Sequence, residues 1–267
     1  MMPLRRFTID QPKTVKEAVE MLAHYGEKGR LYAGGTELLL EVQNSSLRIG
    51  GTVTHRAIEK SSLVRERLPV MAEMERHIAN ARVRASGTLG GNICFAEPHS
   101  DPATLLLALG AKARVQGKTG ERTLAINEIL VGAYETALAA DEILTAIEIP
   151  LLAKTQRAAY LKFQVHERPT LGMALVLDVD ANGSAITKAR AVVGSVSLTP
   201  CRSDKADALL VGPRDKVEKQ LADAAQVLAE AADPGDDLEG SAEYKRHLTG
   251  VFLRRAFAQA LSGAPRS

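Results

Sequence analysis

Paired glycines are the residues of this chain best suited to hold a ligand. The runs Ala33-Gly34-Gly35-Thr36-Glu37-Leu38 and Gly87-Thr88-Leu89-Gly90-Gly91-Asn92 each follow or flank apolar sequence, and each lacks Cβ atoms where a backbone must approach something closely. Consecutive glycines expose successive backbone N–H groups, and such concave nests bind anions, phosphate above all. Two nests in one chain point to a single extended anionic ligand, such as a pyrophosphate. Neither run fits the commoner phosphate signatures, because no G-x-G-x-x-G follows the first strand and no G-x-x-x-x-G-K-[ST] occurs anywhere. A tight turn is the plain alternative for any one Gly-Gly pair.

The other chemically capable residues are sparse. Asp101 precedes Pro102 and reads either as a helix N-cap or as a ligand-binding carboxylate. His55 reads as a histidine at a strand end. Lys162 lies in Tyr160-Leu161-Lys162-Phe163-Gln164, where strand alternation puts Tyr160, Lys162 and Gln164 on one face and Leu161 with Phe163 on the other. On sequence alone it is a solvated lysine, and Leu144 is a core-facing strand residue. The two cysteines, Cys94 and Cys201, form neither a zinc motif nor an iron–sulfur ligand set, which usually takes four thiolates. Cys94 reads as a small buried hydrophobe, or as a thiol near the second nest.

Composition narrows the class. Lys and Arg total 34 against 32 Asp and Glu, a net charge of +2, which is no electrostatic footprint for nucleic acid. No stretch approaches the roughly 18 apolar residues of a membrane span, and the N-terminal run breaks at Asp10, so no signal peptide is expected and the location is cytoplasmic. The 267 residues suffice for two domains with substantial cores.

The elements that must position these residues follow from periodicity. Thr14-Val15-Lys16-Glu17 is a capping box opening a helix to about Tyr25. Leu31 to Ala33 reads as a strand delivering the first nest, and Thr36 as the start of a short helix through Leu38, Leu39 and Leu40. Leu47 to Thr54 reads as a strand, Pro69 to His77 as a helix, and Ser86 to Asn92 as the second nest. A helix over Ala103–Leu109 stops at Gly110; a hairpin pairs Ala113–Gln116 with Arg122–Ile126; Ile143–Ile149 is another strand. Pro150 and the polar run Lys154–Arg157 mark a boundary. Beyond it, strands over Ala159–Val165, Ala174–Val179 and Ala185–Val193 precede helices over about Lys216–Ala231 and Ala242–Leu261, an α+β arrangement.

These residues carry a resemblance. Leu31, Tyr32, Ala33, Gly34, Gly35, Thr36, Glu37 and Leu38, the run Ile49–His55, the run Ala79–Asn92 and Glu97-Pro98-His99-Ser100-Asp101-Pro102 resemble, in order, the FAD-binding medium subunit of molybdenum hydroxylases, the xanthine dehydrogenase and carbon monoxide dehydrogenase family. The resemblance implies an α+β fold: a two-part FAD-binding domain of the PCMH (vanillyl-alcohol oxidase-like) type over 1–153, with subdomains about 1–46 and 47–153, then a C-terminal domain over 154–267. It implies non-covalent FAD bound by Leu31 to Leu38, Thr54, His55, Thr88, Gly90, Gly91, Asn92, Asp101, Leu144 and Lys162. In the relatives the aspartate matching Asp101 bonds the flavin nucleotide, and the lysine matching Lys162 reaches the flavin ring.

It further implies partners: a small iron–sulfur subunit with 2Fe-2S clusters and a large subunit with the molybdenum cofactor, assembled as a dimer of heterotrimers. No residue of this chain is expected to attack the organic substrate. Two alternatives stay open, a free-standing flavin oxidase and a scaffold subunit that has lost FAD. Two departures mark the chain off. Only Asn44-Ser45-Ser46 stands between Gln43 and Leu47, where the family has a longer segment, so the segment is either trimmed or omitted. The cysteine-bearing insertion by which some relatives hold a four-iron cluster is absent.

Overall fold

Thr14 opens the first helix as its capping box predicts: its hydroxyl accepts the Glu17 N–H at 3.1 Å, and the Glu17 carboxylate returns to the N–H of Lys13. The computed structural model describes residues 8–29, 31, 40–43, 45–165 and 168–262. The first glycine loop, Tyr32 to Leu38, lies outside the described residues. Helix α1 runs Val15–Tyr25.

A five-stranded antiparallel sheet follows, ordered β1-β2-β7-β3-β4, with β1 at Leu40–Gln43, β2 at Ser46–Gly50, β3 at Lys112–Gly117, β4 at Gly120–Ala125 and β7 at Ile143–Pro150. Leu40 is therefore a strand residue, not the end of a helix. The shortened Gln43–Leu47 connection has become a hairpin, with Gln43 paired to Ser46 and Ser45 at φ 63°. That hairpin crosses position 46–47, where the two subdomains were expected to meet. The strand expected to reach Thr54 ends at Gly50 instead, because Thr54 caps the next helix.

Between β2 and β3 the chain is helical: α2 at His55–Lys60, α3 at Ser62–Arg67, α4 at Pro69–Arg76, α5 at Ala81–Ser86, α6 at Leu89–Phe95 and α7 at Asp101–Leu109. Helix α6 begins inside the second glycine run, where a loop was expected. The short α8, Ile126–Ile129, and the β5–β6 ribbon, Leu130–Gly132 and Glu135–Thr136, lead into β7.

A second antiparallel sheet, ordered β11-β10-β9-β8, comprises β8 at Gln156–Gln164, β9 at Pro169–Val179, β10 at Ala185–Gly194 and β11 at Cys201–Arg202. The small α9, Asp204–Leu209, and β12, Gly212–Pro213, precede α10 at Arg214–Ala232 and α11 at Ala242–Ser262. Strand alternation divides this sheet between two cores. Leu171, Met173, Leu175, Ala191 and Val193 pack with Leu221, Leu228, Phe252 and Phe257 of α10 and α11. Tyr160, Ala174 and Val192 face the other way and join the core beneath α7 and the first sheet. Helix α7 is thus wedged between the two halves, and that wedge builds the site.

Candidate functional site

The second glycine loop is a junction of three backbones. Thr88 caps α6, its Oγ1 accepting the Gly91 N–H at 3.0 Å, and Thr88 also forms a β-bridge with Thr54. A Cβ on Gly90 would stand 2.4 Å from the Gly51 carbonyl oxygen, and one on Gly51 would stand 2.4 Å from that of Leu144. Gly90 is therefore demanded by backbone packing against Gly51, and Gly51 by packing against Leu144. Gly91 differs: it is exposed, and the Thr88 hydroxyl is all that a Cβ there would meet within 4 Å. The expectation that this loop offers free N–H groups is corrected. The N–H of Leu89 donates to Val53 at 3.0 Å, that of Gly90 to Gly51 at 3.1 Å and that of Asn92 to Thr88 at 2.9 Å. What the loop offers instead is an approach surface beside Gly91.

His55 turns inward. It is 2% exposed, and its Nδ1 lies 2.8 Å from the Glu75 carboxylate of α4. Gly87 covers the ring, since a Cβ there would fall 3.2 Å from its Cδ2. The second Glu75 oxygen, Oε1, is buried with no partner among the described residues, and burial pushes this carboxyl up, opposed by His55. His55 and Thr54, which caps α2 through its hydroxyl, hold up the loop from behind.

Asp101 and Lys162 meet. Ser100, not Asp101, caps α7, accepting the Ala103 N–H at 3.1 Å, and this frees the Asp101 carboxylate. One carboxylate oxygen accepts from the Tyr160 hydroxyl at 2.5 Å and the other from Lys162 Nζ at 3.0 Å. Lys162 also donates to the His77 carbonyl at the end of α4. Tyr160 and Lys162 do share a strand face, with Leu161 and Phe163 in the opposite core, so the alternation holds. The lysine is not a solvated one, its side chain being 11% exposed. The Ser100 hydroxyl donates to Asn92 Oδ1 at 2.6 Å, which ties this carboxylate to the glycine loop.

Four residues of this arrangement are not singled out by the sequence. Tyr160 was placed on the correct face without a role, although its two-residue spacing from Lys162 was the available signal. Gly172 and Gly194, paired across β9 and β10, make a seat for α7: a Cβ on Gly194 would fall 1.8 Å from Thr104 Oγ1. Also on β9, at a break in its register with β8, Thr170 is fully buried with its hydroxyl unpartnered among the described residues.

An exposed glycine and a caged Asp–Lys pair suit a dinucleotide better than a metal, and no group of three or more His, Cys, Asp or Glu among the described residues could hold one. Cys94 is exposed rather than buried by surface area, while desolvation by the atoms around its sulfur pushes its thiol up to about 11, the opposite of an activated thiol. A cavity of about 1030 Å³ lies elsewhere, against Leu107, Gly110, Arg190 and Ser195, and no expected site residue lines it. No helix of the described residues is long and apolar enough to cross a membrane.

Comparison with known proteins agrees with this picture. Residues 40–152 match the FAD binding domain in molybdopterin dehydrogenase, and residues 160–260 match the CO dehydrogenase flavoprotein C-terminal domain. The carbon monoxide dehydrogenase medium chain of Afipia carboxidovorans is 31% identical, with 97% of this chain and 98% of that one covered. That alignment spans 285 positions against 267 residues here, so the relative carries residues this chain lacks. The nicotine 6-hydroxylase medium subunit of Paenarthrobacter nicotinovorans is also 31% identical, covering 93% and 95%. Among solved structures, carbon monoxide dehydrogenase from Hydrogenophaga pseudoflava superposes with a TM-score of 0.89 at 28% identity, covering 99% of this chain and 100% of that one. Quinoline 2-oxidoreductase from Pseudomonas putida 86 gives 0.88 at 25%, covering 98% and 99%.

Proposed function

Because the chain belongs to the family of FAD-binding medium subunits of molybdenum hydroxylases, we propose that it carries FAD non-covalently and relays electrons from a small iron–sulfur subunit, fed by a large molybdenum subunit, to an external acceptor. FAD supplies the exchange between two-electron and one-electron chemistry when bound. The observation that carries the reading is the tie from Gly91 and Asn92 through Ser100 to the Asp101–Lys162 pair. It joins an open approach for a diphosphate to a cation that can stabilise an electron-rich ring. Gly91 gives the ligand room, Asn92 and Asp101 offer polar contacts, Lys162 supplies charge, and Leu144 and Thr88 set the floor. His55 acts behind the loop.

The division into 1–153 and 154–267 belongs to the same proposal, and the matches at 40–152 and 160–260 fall on either side of it. Relatives named for carbon monoxide, nicotine and quinoline share this architecture, which supports placing substrate choice in the molybdenum subunit. One observation favours the scaffold alternative: the N–H groups of Gly87, Leu89, Gly90, Gly91 and Asn92 in the second loop are committed within the chain.

The test is purification of the native complex with flavin and metal analysis, followed by substrate-driven reduction of the flavin in the complex and in this subunit alone. Flavin that is released by acid and reduced only in the complex is the expected result. Substrate-driven reduction in the isolated chain would establish a free-standing oxidase, and a folded chain that takes up no added FAD would establish a scaffold.

A further inference from the structure

The Asp101–Lys162 pair does not stand by itself. Tyr160 and Lys162, two residues apart on β8, reach the same carboxylate from the same strand face, one to each oxygen. The tyrosine is 8% exposed and its ring is held against β9, where a Cβ on Gly172 would fall 2.7 Å from the Tyr160 hydroxyl. Gly172 is the residue opposite Lys162 in the ladder, so the bare glycine is what lets the ring cross. Burial and the charge of Asp101 both push the Tyr160 hydroxyl well above its ordinary range, which keeps it a neutral donor. Lys162 spends N–H groups on Asp101 and on the His77 carbonyl, and an ammonium has three.

We propose that Tyr160 is a positioning residue of the cofactor site: its hydroxyl fixes the Asp101 carboxylate and shares with Lys162 the compensation of its charge. The inference rests on the FAD reading above. The pair then meets the flavin as a pre-oriented, nearly neutral unit with one lysine N–H still uncommitted among the described residues, rather than as a lone mobile cation. Removing the Tyr160 hydroxyl withdraws the positive end of an O–H dipole from beside Asp101. The local potential becomes more negative, and the electron-rich reduced flavin is disfavoured.

The experiment uses the full chain, purified with the subunits that accompany it, as wild type, Tyr160→Phe, Lys162→Met, Asp101→Asn and Gly172→Ala. FAD affinity and flavin midpoint potential are measured on each. Loss of one charge-assisted hydrogen bond should weaken FAD binding by about tenfold in Tyr160→Phe. The remaining bound flavin should be harder to reduce, in the direction of Lys162→Met and opposite to Asp101→Asn. Gly172→Ala, which displaces the hydroxyl without deleting it, should reproduce both effects and serves if Tyr160→Phe fails to fold. A packing role alone would lower FAD occupancy without moving the potential. An unchanged potential in either FAD-loaded variant overturns the inference while leaving the FAD reading intact; a wild-type chain that binds no FAD overturns both.

Discussion

Glycines that look alike in sequence do different work. Gly90 is fixed by the Gly51 carbonyl and Gly91 by nothing beyond its own cap, so the two substitutions should separate stability from ligand binding. Gly90→Ala should destabilise the fold by about 1–3 kcal/mol through overpacking. Gly91→Asp puts a Cβ 2.8 Å from the Thr88 hydroxyl, so it should cost no more than the α6 cap, about 0.5–2 kcal/mol, yet abolish FAD uptake, with Gly235→Asp as an exposed control that has nothing within 4 Å. Gly120 is a poor control, because its φ of 133° strains any side chain. Equal FAD content in wild type and Gly91→Asp would remove Gly91 from the site. Glu75 offers a second residue-scale expectation. Burial raises its folded pKa above the ordinary 4.5, so the native state holds a proton that the unfolded chain has already released, and stability falls as pH climbs through that window. Glu75→Gln should abolish this decline, and thermal unfolding of both proteins across a pH series measures it; parallel profiles would show that Glu75 does not titrate as a buried acid.

Among the elements, α7 decides the geometry. Its Ser100 cap sets the starting register, Asp101 follows at the first helical position, and Thr104, one turn on, drops into the Gly172–Gly194 seat. The seat therefore fixes how close the carboxylate comes to β8. Gly194→Ala puts a methyl where the Thr104 hydroxyl is, and overpacking of this kind costs about 1–3 kcal/mol. Thr104→Ala in the same chain should recover much of that loss. Additive losses in the double variant, read from denaturant midpoints, would mean that the helix does not seat there.

For the whole molecule, both sheets and α7 contribute to one core, Leu47, Ile49 and Ile147 of the first sheet packing in it with Tyr160, Ala174 and Val192 of the second, so the candidate site lies where the halves meet. Among the described residues no group of three or more His, Cys, Asp or Glu could hold a metal, and under the proposed function reducing equivalents come from another polypeptide. Mixing this subunit with the small and large partners should therefore switch on flavin reduction by substrate, at a rate that rises with partner concentration until the complex is saturated. Rates independent of the partners would refute the relay.

Local signals in the sequence were enough to place α1, α4, α7, the β3–β4 hairpin and the two long C-terminal helices, because capping, proline and helical spacing act within a few residues. They were also enough to set Tyr160 and Lys162 on one face, since strand alternation is a local property. The short α2, α3 and α6 were not legible, because each is held by burial against its neighbours more than by its own periodicity, and α5 buries no residue and has only its Asn80 cap as a local signal. The site itself was half legible: Gly90, Gly91, Asp101 and Lys162 stood out by type, but their roles did not. Which glycine meets a backbone, which carboxylate oxygen meets a tyrosine, and whether a histidine faces inward depend on contacts between residues far apart in the chain. His55 and Glu75, or Asp101 and Tyr160, become neighbours only when helices close on a sheet, and close packing fixes that closure by the shapes of both surfaces at once.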